Sequence, residues 1–396
     1  MPKQIKKTER GFTLVEAMIA AVIGLIMMLA ATAIFRQAMN VVFVVSQRAE
    51  TQQNMRAAVE LMTKDISLAG AGLPTGGLQL PTAGGSSLVA CNQSGTCYVP
   101  GDVYPANPST GTTNYMYGIL PGYGNGVQNS AVITEAPAPV VNDSITSIYC
   151  DYNFPLSNFT FTFGGSPTTT IDTTVNNAAI TPNNIQAPGG LQVGDLLLFI
   201  VTTAGTGTGN QGTSAVQSGW AVGEITGLPA PVGTSSAQGT IPITFGANDP
   251  LNINQVGDLN SLSKLSVGGN TLTVCRLYAV TYFLQVPTAG GTVQTPRLMR
   301  QVNGQTAVPV ADNIINIQFT YDIFNPNTNT VSPNVANPAA VGLSPNLIQK
   351  VNLWVMGQNL LSGNNRSQSM YLASSVSTGN MSFCNGLSSS TSTCGN

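Results

Sequence analysis

The chain has 396 residues, 42% of them hydrophobic and 8% charged, which is long enough for a sizeable core and too apolar for a disordered chain. The net charge of -2 hides an asymmetry, because eight of the 14 basic residues fall in the first 64 positions and none falls between Asp65 and Ser263. That stretch leaves Asp65, Asp102, Glu135, Asp143, Asp151, Asp172, Asp195, Glu224, Asp249 and Asp258 without a local cation, a poor surface for phosphate backbones, so nucleic acid is excluded as a partner.

Histidine is absent, which removes the commonest general base and the commonest metal ligand. With no nucleophile motif and no metal-ligand spacing, no catalytic residue, metal site or cofactor is expected, and the chain is not read as an enzyme. The 42 Gly and 24 Pro, with much Asn, Ser and Thr, shift the balance from helix toward strands joined by turns.

The chain opens on a basic leader, residues 1–11, holding Lys3, Lys6, Lys7 and Arg10 and ending at Gly11. Residues 12–35 follow with Glu16 as their one charge. As a helix this run spans about 36 Å, enough to cross a hydrocarbon core of about 30 Å. The basic leader should stay cytoplasmic, sending everything after Phe35 to the outer, oxidising side. Inner-membrane lipid is therefore a first partner. Glu16 stands out, since a lone carboxylate in hydrocarbon costs several kcal/mol and is commonly functional.

Beyond the span, residues 36–73 continue the helical pattern without proline until Pro74. Met55, Val59, Met62, Ile66 and Ala69 form one apolar stripe, opposed by the i, i+4 ladder of Arg56, Glu60 and Lys64. The Gly70, Gly72 and Pro74 run stops it. Residues 74–396 then read as a β-rich globular domain ending in a Gly/Ser-rich tail. Strands are predicted over 144–150, 159–163, 195–202, 220–225, 271–286, 296–302, 314–323 and 347–356. Segments 75–87, 202–218 and 386–396 read as loops or tail.

Some motifs point to no chemistry. The glycines of 205–212 follow a strand as a dinucleotide loop would, but no helix pattern opens there. Asp249 to Asp258 lacks the spacing of a calcium loop. Asp143 and Asp151 flank a strand and read as solvated or capping residues. The six cysteines contain no CxxC pair and read as disulfides in an oxidising compartment or as buried thiols. Closure entropy favours short loops, so Cys91 with Cys97 and Cys384 with Cys394 are expected as local staples. Cys150 and Cys275 then remain, either paired across the core between distant strands or left as two thiols.

The string Gly11-Phe12-Thr13-Leu14-Val15-Glu16 closely resembles the class III signal of type IV prepilins and type II secretion pseudopilins. That resemblance implies a prepilin peptidase cutting after Gly11 and N-methylation of the new terminus at Phe12. It also implies that Glu16 neutralises the amino terminus of a neighbouring subunit, two costly charges becoming acceptable as a pair. The fold it implies is α+β: one long N-terminal helix, half transmembrane and half amphipathic, packed on a large, mostly antiparallel, loop-rich β domain.

Further pieces resemble the W-type minor pilins (PilW-like). These are Gln53-Asn54-Met55-Arg56 with Asp65-Ile66-Ser67-Leu68-Ala69-Gly70, then Val193-Gly194-Asp195-Leu196, then Pro309-Val310-Ala311-Asp312-Asn313-Ile314, then Ile348-Gln349-Lys350-Val351-Asn352-Leu353-Trp354-Val355. The C-terminal end departs from that family, with Gly379 before Asn380 where an arginine is usual, and a cysteine-bearing tail beyond. The resemblance implies a minor pilin that helps to start the filament, with other minor pilins, the major pilin and a tip adhesin protein as partners. A J-type pseudopilin of a type II secretion system and a surface-binding adhesin subunit stay open as alternatives.

Overall fold

A computed structural model describes residues 11–74, 77–81, 115–124, 142–151, 159–163, 170–175, 190–201, 219–228, 241–249, 251–255, 262, 272–285, 288–289, 292–293, 296–303, 305–325, 328–360 and 367–381. One helix, α1 (Leu14–Ser67), runs for 54 residues. The predicted stripe is its packed face: Met55, Val59, Met62 and Ile66 are buried, as is Ala69 just past its end, while Arg56, Glu60 and Lys64 are exposed. The helix closes at Ser67, short of the glycines, and 68–72 continue as turns. Gly70 there has φ 81°, and a Cβ on it would lie 2.9 Å from the Asn380 carbonyl oxygen, so both backbone shape and space demand glycine.

Strands follow in chain order: β1 (Leu78–Gln79), β2 (Tyr115–Met116), β3 (Ile119–Gly122), β4 (Ser144–Asp151), β5 (Phe159–Phe163), β6 (Thr170–Val175), β7 (Leu196–Val201), β8 (Gly219–Glu224), β9 (Ile241–Thr244) and β10 (Leu272–Gln285). Then come β11 (Thr288–Ala289), β12 (Thr292–Val293), β13 (Arg297–Val302), β14 (Val308–Asp312), β15 (Ile314–Asn325), β16 (Thr330–Val335), β17 (Ile348–Leu360) and β18 (Ser367–Ser377). Pairs β1–β2 and β11–β12 are small ribbons, with β1 inside the 75–87 stretch read as loop from sequence.

Ten strands, β3 to β10 with β13 and β14, make one antiparallel sheet centred on β10. Along one edge β10 pairs with β4, and along the other with β7 and then β13. The second sheet has the order β16-β15-β17-β18. The chain passes from one sheet to the other at Asn313, which takes φ 63° between β14 and β15. Asparagine tolerates that left-handed turn better than other side-chain-bearing residues.

Period-two burial explains the second sheet. On β17, Val351, Leu353 and Val355 are buried and alternate with half-exposed Asn352, Trp354 and Met356. The buried set joins Met55, Met62 and Ile66 of α1 and Ile145, Val280, Tyr282 and Leu298 of the large sheet in one core. Each such side chain contributes about 1.5–3 kcal/mol by leaving water. The helix packs tightly on Gly357 of β17, where an added Cβ would meet Met55 Sδ at 2.7 Å and Thr51 Cγ2 at 3.0 Å.

Candidate functional site

The head of α1 brings Gly11, Phe12 and Glu16 together at the end of a bare apolar rod. Thr13 is the N-cap, with φ -78° and ψ 149°. Its Oγ1 accepts the Glu16 N–H at 3.3 Å and donates to Glu16 Oε2 at 3.4 Å. Thr-x-x-Glu is the capping-box spacing, so the glutamate that interrupts the apolar run also closes the helix's first turn. The Thr13-to-Glu16 spacing is the sequence signal for that second role.

Nothing in the described chain covers this rod. Phe12, Leu14, Val15 and Met18 are exposed, and so are the large hydrophobics onward to Phe43. The first buried residue of α1 is Thr51. From Leu14 to Phe43 every residue is exposed, about 45 Å of helix at 1.5 Å per residue. This helix is long and apolar enough to cross a membrane.

The other end of α1 is fixed by a feature the sequence hid. Asp65 is buried, and its carboxylate accepts from Tyr149 Oη at 3.0 Å, Tyr282 Oη at 2.6 Å and Arg300 Nε at 2.9 Å. Those partners sit on β4, β10 and β13, so one side chain ties the last helical turn to three strands. Burial, with the neighbouring Asp65 charge, pushes both phenols well above their ordinary range. Burial alone would pull Arg300 down, but the hydrogen bond and charge of Asp65 raise it. The turn past the helix adds backbone bonds: Gly70 N–H donates to the Ile148 carbonyl, and Cys150 N–H to that of Ala71, both at 2.8 Å.

Two expectations about acids are corrected here. The carboxylates before Ser263 are not all unopposed, because chain folding brings Arg300 to Asp65 and Arg276 to Asp151 from the C-terminal third. Neither Asp143 nor Asp151 is solvated; both are buried. Arg276 donates through Nε to Asp151 Oδ2 at 3.1 Å and through Nη1 to the Gly190 carbonyl at 3.2 Å, and its guanidinium lies 5.0 Å from the Tyr278 ring centre. Asp195 beside this pair is pushed up by burial, against the N–H of Gln192 and the charge of Arg276.

Asp143 does cap backbone, accepting Gly124 N–H at 2.8 Å and Phe319 N–H at 2.9 Å, and so joins the two sheets. Burial outweighs those bonds and raises its carboxyl to about 6. Glu224 accepts Leu251 N–H at 3.1 Å and is raised to about 7, first by burial and further by the carboxylate of Asp249. Asp249 holds the N–H groups of Ile253 and Asn254 and so braces its own turn.

Cys150 and Cys275 form a disulfide with Cα atoms 5.8 Å apart. The strands it joins are sequence-distant but are neighbours in one sheet, so the bridge does not cross the core as expected. In register Cys150 faces Leu277, and Cys275 is its diagonal neighbour. A closure of 125 residues restricts the unfolded chain by about 5 kcal/mol in the chain-entropy model. Cys91, Cys97, Cys384 and Cys394 lie outside the described residues, as do the 205–212 glycines and Asp258.

Residues 6–32 match the family model of the prokaryotic N-terminal methylation motif. No curated protein and no solved structure matches the chain. The matched segment holds Gly11, Phe12 and Glu16 and the first turns of the bare rod. It carries a prepilin-type signal, and with the exposed apolar helix it supports a type IV pilin-like protein that is anchored in a membrane and then taken into a pilus.

Proposed function

We propose that the chain is a minor pilin of the PilW-like type, which helps to start a type IV pilus and couples it to tip proteins. In this reading a prepilin peptidase removes residues 1–11 and Phe12 becomes the N-methylated terminus. Residues 12–35 cross the inner membrane once, with the leader cytoplasmic, 36–73 join the span to the β domain, and 74–396 face outward. The role is structural rather than catalytic.

One observation carries it: Glu16 sits on an apolar rod whose neighbouring side chains have no cover within the described residues. A carboxylate so placed is costly in lipid and in a filament core unless a cation meets it. The amino terminus of a neighbouring subunit is such a cation.

The test is assembly without misfolding. Glu16→Ala should leave membrane insertion and protein level unchanged, because losing an acid does not weaken an apolar span. Surface pili and co-purification of other minor pilins should fall. Unchanged assembly would remove Glu16 from the mechanism, and an N-terminus at Met1 in the intact mass of membrane-extracted protein would remove the pilin reading.

A further inference from the structure

The exposed sheet edges differ in how they are guarded. Unpaired edges template pairing with other chains, and proteins blunt them with proline, charge or bulges. Among the described residues, β3 carries Pro121, β9 Pro242, β14 Pro309 and Asp312, and β16 Pro333, while the Asn254 side chain takes up the N–H and carbonyl of Glu224 on β8. The remaining edge of the two large sheets is β18, Ser-Gln-Ser-Met-Tyr-Leu-Ala-Ser-Ser-Val-Ser, which has 11 residues and neither proline, glycine nor charge. Among the described residues it pairs with β17 alone, which leaves the other side of a ladder about 35 Å long without a strand.

A groove of about 330 Å³ runs beside this edge. Its walls are Gln52, Met55 and Arg56 of α1 and residues 369–372 of β18. It lies next to the close approach at Gly357, which faces Met370 in register and meets Met55 of the helix. A strand laid on β18 would turn alternate side chains toward Met55 and Arg56. Arg56 is exposed and takes part in none of the ion pairs among the described residues. No acidic residue lines the groove.

We propose that β18 takes up an extended segment of a partner polypeptide as an added strand, with backbone hydrogen bonds along the edge and a carboxylate of that segment against Arg56. A second copy of this chain fits poorly. Its own β18 has no carboxylate to offer, and two-fold pairing of β18 with itself would give two Arg56 side chains and no acid between them. Main-chain pairing supplies affinity in such sites, and pockets for alternate side chains supply selection. The surface does not depend on the filament reading: a chain that failed to assemble would still bind.

Full-length protein in mild detergent is titrated with labelled nine-residue peptides of alternating valine and threonine, in which the central valine is glutamate, glutamine or lysine. Fluorescence anisotropy should show the glutamate peptide binding about fivefold more tightly than the lysine peptide, as expected for one partly exposed ion pair. Arg56→Glu should reverse that order, with circular dichroism unchanged because Arg56 is exposed. Tyr371→Lys places a charge on the open edge and should weaken every peptide. Equal affinity for the three peptides, an order unmoved by Arg56→Glu, or binding indifferent to Tyr371→Lys would each overturn the proposal. So would self-association of the chain that Tyr371→Lys abolishes, since the occupant would then be a second copy.

Discussion

Glu16 and the buried acids of the β domain are the same chemistry in opposite circumstances. In the domain Asp65 has two phenols and an arginine, Asp151 an arginine, and Asp143 two backbone N–H groups. Glu16 has the cap of its own first turn and is otherwise surrounded by exposed apolar side chains. A buried acid supplied with donors by its own chain is part of the fold. An acid on an apolar surface that the described residues leave without a cation is what the proposed pairing with a neighbouring subunit would satisfy.

The sharpest way to break this comparison is Asp65→Ala. The substitution leaves Tyr149, Tyr282 and Arg300 facing a space with no acceptor, and removing one member of a buried pair costs about 3–5 kcal/mol. Denaturant unfolding of a variant lacking the membrane span would read the loss. A change below about 1 kcal/mol would mean that the helix end is held by the apolar stripe alone.

Asp143→Ala should cost less, about 1–3 kcal/mol, because neutral N–H donors are left unsatisfied rather than a charge. Asp143→Asn keeps an acceptor oxygen and should recover part of the loss. The same unfolding curves decide it, and an alanine variant as stable as wild type would show that water replaces the carboxyl between the two sheets.

What the sequence showed and what it hid follow this division between local and distant pairing. The rod, its Glu16 and the stripe from Met55 to Ala69 are patterns within one helix, readable from spacing. Strands such as β10, β15 and β17 announce themselves by runs of β-branched and aromatic residues. The Asp65 cluster was invisible because Arg300 lies 235 positions away, and no local pattern names such a partner. Short edge strands with proline, such as β9 and β16, are missing from the predicted strands because the residue that guards the edge also weakens the strand pattern. The adjacency of Cys150 and Cys275 depends on β10 pairing with β4, a sheet-level fact.

The smallest expected effect is a slope, and it separates Glu224 from acids held by cations. Glu224 in the folded state is raised from 4.5 to about 7, chiefly by burial, with the Asp249 carboxylate adding to it and the Leu251 N–H opposing it. Between those two values the folded chain binds a proton that the unfolded chain does not. The stability from this group is therefore fully present below about 4.5 and is lost as pH rises through about 7. One proton changes stability by at most about 1.4 kcal/mol per pH unit. Asp143, raised from 3.8 to about 6, adds a slope of the same sign at lower pH. Unfolding measured at pH 7.5, 6.5 and 5.5 should show wild type gaining stability as pH falls. Glu224→Gln, which stays neutral and can still accept from Leu251, should flatten the upper part of that gain; an identical slope in both proteins would show that Glu224 is ionised in the fold and finds a cation there after all.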